Sequence, residues 1–189
     1  MTLIIGALIM KNYKIFSILF LTFFSGTSLS NQMELGIHED LIDLRFTVDL
    51  AQDFGTELGF LHTDNDTVDS EQISYSFFTQ DKENDLNFHL SGKVYLLNVN
   101  DDSGFGVAIG VGVNRNFSDK IQGSLQASYA PDIITGGDFK NFYEMDLRID
   151  YQIVENGSIF IGSRNQEVNN GLDDIQVFDG NYIGIKFNF

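Results

Sequence analysis

The 189-residue chain contains no cysteine and no tryptophan, has one proline, and carries 11 lysine and arginine residues against 27 acids. Without cysteine no disulfide can hold the fold together, so a closed hydrogen-bonded sheet is the expected source of rigidity. The formal charge of −16 repels phosphate and argues against nucleic acid as a partner. With 43% apolar and 13% aromatic residues, a folded single domain is expected rather than disorder.

Long apolar runs are also rare, and the clearest one lies near the start of the chain. Residues 1–30 contain two lysines and no acid, and the lysines are followed by the apolar run 15–24 and by Ser28-Leu29-Ser30. This order is typical of a secretory signal peptide for the Sec pathway, cleaved before Asn31, with Met10 as an alternative start. A membrane-anchoring helix is the other interpretation, but the run is shorter than the roughly 20 residues that a span requires.

Beyond residue 30 the chain alternates apolar and polar residues with a period of two, and no convincing helical period interrupts this pattern. In the segment 141–154, bulky apolar residues fall on one face and charged or polar residues on the other. The pattern predicts about ten strands, with eight as an alternative. The predicted strands are 32–38, 41–50, 55–62, 71–80, 86–97, 104–115, 120–130, 141–154, 157–167 and 179–189.

The difference between the apolar and the polar face of the strands indicates whether water or lipid surrounds the sheet. A soluble sandwich or lipocalin-like barrel also alternates, with its apolar face inward. Long strands, uniformly bulky apolar faces and the small-residue face at Gly106, Gly110 and Gly112 favour the opposite arrangement. We therefore predict an all-β fold for residues 31–189, a transmembrane antiparallel up-and-down β-barrel in the outer membrane of a Gram-negative cell. The longer loops, expected outside the cell, are 63–70, 98–103, 131–140 and 168–178.

Several stretches resemble one family of bacterial outer-membrane proteins. They are Ser128-Tyr129-Ala130-Pro131-Asp132, the hairpin at 141–165, and the closing Gly180-Asn181-Tyr182-Ile183-Gly184-Ile185-Lys186-Phe187-Asn188-Phe189. These stretches resemble the C-terminal half of the YfaZ family. The resemblance implies an outer-membrane β-barrel and supplies no functional residues. The closing strand also looks like the signal by which the barrel assembly machinery recognises its substrates, with periplasmic chaperones as further partners, and the expected signal residues are Tyr182, Ile185, Phe187 and Phe189.

Charged residues on the polar faces are the main candidates for function. If the apolar faces contact the lipid bilayer and lipopolysaccharide, these charges line the lumen. They fit narrow, porin-like passage of small solutes or ions, or alternatively a plug of paired charges in a non-conducting structural or surface-interaction barrel. The predicted lumen set is Glu34, Asp43, Arg45, Asp49, Glu57, Lys93, Glu144, Asp146, Arg148, Asp150, Arg164 and Lys186.

The predicted outer loops are acidic, and close carboxylates can bind divalent cations. The candidates are Asp64, Asp66, Asp69 and Glu71. Their stretch, TDNDTVDSE, lacks the glycine and the third ligand position of an EF-hand loop, so a solvated run of charges is the favoured interpretation.

No enzyme is predicted, because no motif places a nucleophile beside a base. The three histidines lie on different predicted strands, and the alternation turns His62 outward while Ser74 and Ser76 face inward. The glycines between residues 104 and 112 are misspaced for a dinucleotide-binding loop, so no cofactor is expected.

Overall fold

The computed structural model describes residues 31–79 and 85–189; the predicted signal peptide lies outside these ranges. Nearly all of the described chain is β-strand, and one 3₁₀ turn spans Asp132–Ile134. No helix within these ranges is long and apolar enough to cross a membrane. The strands are β1 (Asn31–His38), β2 (Leu41–Ala51), β3 (Phe54–Asp64), β4 (Asp69–Thr79), β5 (Leu86–Val99), β6 (Asp102–Ser118), β7 (Ile121–Ala130), β8 (Thr135–Gly137), β9 (Asn141–Val154), β10 (Gly157–Asn169) and β11 (Asp174–Asn188).

Ten of these strands form a closed antiparallel ring in which each strand pairs with its neighbours along the chain. The exception is the three-residue strand β8, which pairs with β6 and leaves β7 to pair directly with β9. The up-and-down barrel predicted from the alternation is therefore confirmed, with ten strands in the ring.

The ring closes between the first and last strands. Glu34 on β1 pairs with Lys186 on β11, and their neighbours continue the antiparallel ladder. At its end the Asn31 amide donates to the Phe189 carbonyl at 3.0 Å, and the Phe189 amide donates to the Asn31 carbonyl at 2.9 Å. A ladder closed in this way leaves no row of unpaired backbone groups at an edge, which is the condition for a sheet to stand in lipid.

The distribution of side chains is the reverse of that in a soluble protein. Phe88 and Ile109, which face outward, are 72% and 66% exposed, whereas Asp146 and Asp150 are buried inside the barrel. A continuous apolar outer surface suits lipid, and it would be a large exposed patch in water. The soluble lipocalin-like alternative required the apolar face inside, so it is wrong.

Tyrosines are among the outward-facing residues of this apolar surface. Tyr129 on β7 and Tyr143 on β9 are paired in register and both point outward, and Tyr75 on β4 is also exposed. Tyrosine at such positions has an apolar ring for lipid and a hydroxyl for the headgroup region.

The two ends of the barrel differ in their connections. The turn end carries the turns at 52–53, 119–120 and 155–156, together with Asn31 and Phe189; the loop end carries the connections at 39–40, 65–68, 100–101, 131–140 and 170–173.

Three connections at the loop end are shorter than predicted, and the one between β3 and β4 is reduced to residues 65–68. Strands β5 and β6 extend until only a two-residue turn separates them, and Asn100 makes that turn with a φ of 53°, in the left-handed region that asparagine tolerates. Strand β11 begins earlier than predicted, at Asp174. Apolar and polar residues stop alternating near its start, but an irregularity in the pairing with β10, between Gln166 and Glu167, lets the strand continue past this point.

Candidate functional site in the barrel lumen

The twelve charged residues predicted for the lumen all occupy inward-facing strand positions. Because side chains alternate along a strand, every second residue from each of the ten strands points into the same enclosed space. Arg45, Asp49, Glu57 and Arg148 are partly exposed to that space. The others, Glu34, Asp43, Lys93, Glu144, Asp146, Asp150, Arg164 and Lys186, are buried.

One group of ion pairs is centred on Arg148 of β9. Its guanidinium donates to both Glu34 carboxylate oxygens on β1, at 2.6 and 3.0 Å, and its Nε donates to Asp150 at 2.9 Å. Lys186 on β11 lies 2.7 Å from the other oxygen of Asp150. The two-oxygen contact with Glu34 is the bidentate geometry in which arginine binds a carboxylate most strongly.

A second group is centred on Arg164 of β10, which is only 1% exposed. Its guanidinium donates to Asp43 on β2 and, through Nε, to Asp146 on β9, both at 2.8 Å. Arg45 also binds Asp43, at 2.9 Å, and Asp146, at 3.4 Å. The Tyr182 hydroxyl donates to Asp146 at 2.8 Å, so this carboxylate is held by three side chains.

The third group consists of Lys93 on β5 and Glu144 on β9, whose charged atoms are 2.8 Å apart. The ammonium group also lies 5.7 Å from the centre of the Phe142 ring. We call the three groups together the ion-pair belt; it comprises Glu34, Asp43, Arg45, Lys93, Glu144, Asp146, Arg148, Asp150, Arg164 and Lys186.

Between the belt and the loop end, the lumen is filled by buried apolar side chains. Two of them, Val68 and Phe139, come from connecting loops that fold back into the mouth of the barrel. Gly104 and Gly106 on β6 make room, since a Cβ at Gly104 would lie 2.5 Å from the Phe139 ring and a Cβ at Gly106 would lie 2.5 Å from the Tyr95 hydroxyl. We call this cluster the apolar cap; its main members are Val68, Tyr95, Leu97, Val99, Phe139, Phe142, Val168 and Val177.

On the other side of the belt the lumen is hollow and polar. A cavity of about 330 Å³, here called the chamber, is bordered by belt residues such as Arg45 and by Glu57, Ser91 and Gln126. A second cavity of about 440 Å³ shares Gln122 with the chamber and reaches the turn at 119–120. The interior is therefore filled toward the loop end and hollow toward the turn end.

The predicted assembly residues divide between the two faces of β11. Ile185, Phe187 and Phe189 point outward, with exposures of 41%, 49% and 52%, whereas Tyr182 is buried in the lumen beside Asp146. Their part in assembly remains a prediction.

The acidic stretch proposed for a divalent cation is organised by an asparagine side chain. Asp64 and Asp69 face each other across the start of the connection between β3 and β4. The Asn65 Oδ1 accepts hydrogen bonds from the amides of Thr67 and Val68, at 3.0 and 2.9 Å. Over residues 31–79 and 85–189, no group of three or more potential metal-ligating side chains is found.

The histidine and serine positions follow the predicted alternation. His62 lies 3.0 Å, measured from Nδ1, from the Ser70 carbonyl, and its ring is on the opposite side of the sheet from the buried Ser74 and Ser76. These residues do not form a nucleophile and base pair.

Sequence reasoning missed the apolar cap, because the inward positions were treated as a polar set. Phe142, Tyr95 and Leu97 occupy the same alternating positions as the charged residues of their strands. Two features of the sequence could have predicted the cap. Bulky apolar residues occupy inward positions of the alternation, and the glycines at 104 and 106 lie opposite bulky inward neighbours on the paired strand.

An enclosed ring of ten strands, apolar outside and ion-paired inside, defines a transmembrane β-barrel. A family model described as "YfaZ precursor" matches residues 10–189. The chain belongs to the YfaZ family.

Several solved structures are similar to this chain at low sequence identity. The "KdgM porin" is 14% identical, with a TM-score of 0.46, and the match covers 85% of this chain and 99% of that one. "NanC porin structure in rhombohedral crystal form" is 11% identical, with a TM-score of 0.49 and coverages of 86% and 100%. "Outer-membrane expressed OmpT of Vibrio cholerae" is 13% identical, with a TM-score of 0.41 and coverages of 79% and 56%. No curated protein matches the chain.

Proposed function

We propose that this protein is an outer-membrane β-barrel whose resting lumen is closed, and that it serves a structural or surface-interaction role in the cell envelope. The observation that carries this proposal is the set of ion pairs that cross the lumen. Arg148 reaches Glu34, Arg164 reaches Asp43, and Lys93 reaches Glu144, and each pair joins strands three steps apart around the ring.

Two physical arguments support closure. A barrel of about eight strands has just enough interior for side chains, whereas the wide aqueous channels of porins need about 16–18 strands. Here the belt crosses the lumen of a ten-stranded ring, and the apolar cap fills it between the belt and the loop end. Separating buried pairs would leave uncompensated charges, which is strongly unfavourable unless water or a solute replaces the partner.

Narrow, porin-like passage of small solutes or ions is the second candidate function. The chamber favours it, because a polar cavity of about 330 Å³ already extends from the belt toward the turn end. Passage would require the belt carboxylates to exchange partners and Phe139 and its neighbours in the cap to move aside.

Current recordings in planar lipid bilayers distinguish the two functions. A silent wild-type barrel over a wide voltage range supports the closed structural role. Discrete conductance steps that change in Asp146→Asn or Arg148→Gln support passage, because these residues form the belt. Asp132→Asn is the matched control, since it removes one acid from an exposed loop position.

The location and partners belong to the same proposal. The apolar outer surface and the family suit a bilayer with lipopolysaccharide in its outer leaflet, reached by Sec export, periplasmic chaperones and the barrel assembly machinery. Divalent cations bridging Asp64 or Asp69 to lipopolysaccharide remain a proposal of the same kind. Fractionation tests the location: the protein should leave the outer-membrane fraction with detergent and remain there in high salt. We propose no enzymatic activity.

A further inference from the structure

The arginine and lysine side chains that line the chamber are all paired with carboxylates already. Its charged lining includes the three cations Arg45, Arg148 and Lys186, and each already contacts a carboxylate of the belt, at 2.9, 2.6 and 2.7 Å respectively. An anionic solute would therefore meet no free positive charge there and would compete with carboxylates already in place.

Two acids of this lining, Asp49 on β2 and Glu57 on β3, lie outside the belt, and Glu57 is the one considered for a ligand. Within the described part of the chain it forms no ion pair, and its hydrogen bond is a long one, 3.4 Å, from the Thr47 hydroxyl. Its positive neighbours, Arg45 and Lys93, are both ion-paired with other carboxylates, so the cost of desolvating Glu57 is only partly offset. The position is therefore suited to a cation that arrives from outside the chain.

Two further groups on the same wall lack partners. The Oγ of Ser91, a residue only 9% exposed, and the Nδ1 of His89 are buried atoms without a hydrogen-bond partner in the described residues. Both residues line the chamber together with Glu57. Such groups in a folded protein are usually satisfied by water or by a ligand.

Glycines on the neighbouring strand leave room for the Ser91 and His89 side chains. Gly110 and Gly112 on β6 are paired with Ser91 and His89 on β5, and a Cβ on either glycine would overlap the Ser91 hydroxyl or the His89 ring. Phe78, paired with Ser91 from β4, adds an aromatic ring to the lining between β3 and β5. A carboxylate, a hydroxyl, an imidazole and an aromatic ring therefore line the cavity from the neighbouring strands β3, β4 and β5.

We infer that the chamber is a binding site for a small organic ammonium cation. A primary ammonium group has three N–H donors and no acceptor, which suits the Glu57 carboxylate with the Ser91 Oγ as a second acceptor. His89 lies two residues before Ser91 along β5, where its Nδ1 can accept from a second donor group of the same ligand. The Phe78 ring adds a cation–π surface. The volume of about 330 Å³ admits a small molecule and lies at the lower end of ordinary ligand sites, about 300–1,000 Å³. Binding of this kind is independent of whether the lumen conducts.

Calorimetric titration of the detergent-folded full chain tests the inference, with 1,4-diaminobutane as the probe and butyrate as the anionic comparison. Wild type should bind the diamine and not butyrate. Glu57→Gln should weaken diamine binding about tenfold, because a charge-assisted hydrogen bond is lost, and Ser91→Ala should weaken it by a smaller factor. Glu155→Gln is the matched control, since it removes the same charge from an exposed turn, and it should leave affinity unchanged.

The inference is overturned if wild type takes up no diamine at millimolar concentration, or if butyrate binds equally well. It is also overturned if folded Glu57→Gln, verified by heat-modifiable mobility, retains wild-type affinity. These measurements are made without a bilayer, so the two proposals fail separately: a silent barrel that does not bind the diamine contradicts this inference alone, and a conducting barrel that binds it contradicts only the proposed closed lumen.

Discussion

The guanidinium of Arg148 on β9 holds both carboxylate oxygens of Glu34 on β1, three strands away around the ring, with hydrogen bonds of 2.6 and 3.0 Å. The side chains are only 13% and 6% exposed, so water screens this pair much less than a surface pair. The contact therefore links the first part of the barrel to the hairpin of β9 and β10. If the lumen is closed as proposed, the strength of this contact contributes to keeping it closed.

A double-mutant cycle should measure this link directly. We expect Glu34→Gln and Arg148→Gln to show a coupling free energy of about 1–3 kcal/mol in denaturant unfolding, because partners in one ion-pair network are not additive. The control cycle uses Asp132 and Lys140, an exposed pair at 3.8 Å, whose coupling should be near zero. Equal coupling in the two cycles would show that the belt pair is no stronger than a surface contact.

The lipid-facing surface can be tested at Leu147, which points outward from β9 midway between Tyr143 and Tyr151. Leu147→Arg should lower the free energy of unfolding in phospholipid vesicles by about 2–4 kcal/mol, the range for a basic residue at the bilayer midplane. Ile133→Arg serves as the control, because Ile133 is 90% exposed in a loop and its replacement should be nearly neutral. If Leu147→Arg and Ile133→Arg lower the free energy of unfolding equally, Leu147 does not face lipid.

Strands β9 and β11 show where the alternation predicts strand bounds correctly and where it does not. Strand β9 was predicted with the bounds found, because its alternation runs unbroken from residue 141 to 154. Strand β11 was predicted to begin five residues late, because Val177 and Phe178 are both buried and break the alternation at the irregular pairing with β10.

The partners of the inward charges could not be predicted in the same way. Alternation places Arg164 and Asp43 inside, but it gives neither their height in the barrel nor which strands face each other across the lumen. Those depend on the stagger of all ten strands, a property of the closed ring. For the same reason, sequence could place Tyr182 inside without indicating that its hydroxyl reaches Asp146, two strands away.

Close packing inside the lumen predicts a strong effect at Gly184 of β11. A Cβ there would overlap the Phe160 ring and the backbone carbonyl of Leu35, and the carbonyl cannot move without disturbing the ladder between β1 and β11. Gly184→Ala should therefore lower the free energy of unfolding by about 1–3 kcal/mol. Gly92→Ala is the control, since a Cβ at Gly92 meets nothing within 4 Å. Unchanged stability of Gly184→Ala in a denaturant titration would contradict the packing described.

The proposed assembly role of the last strand can be separated from its contribution to stability. Phe189 is 52% exposed at the turn end, where its backbone pairs with Asn31. Near a membrane interface, a charged substitution on the lipid face costs only about 0–1 kcal/mol. Phe189→Asp should therefore unfold in vitro almost as wild type does, whereas the heat-modifiable barrel recovered from the outer membrane of expressing cells should fall several-fold. Asn188→Asp adds the same charge on the adjacent inward position and should assemble normally; an equal loss in both variants would assign the effect to charge at this end rather than to the recognition of Phe189.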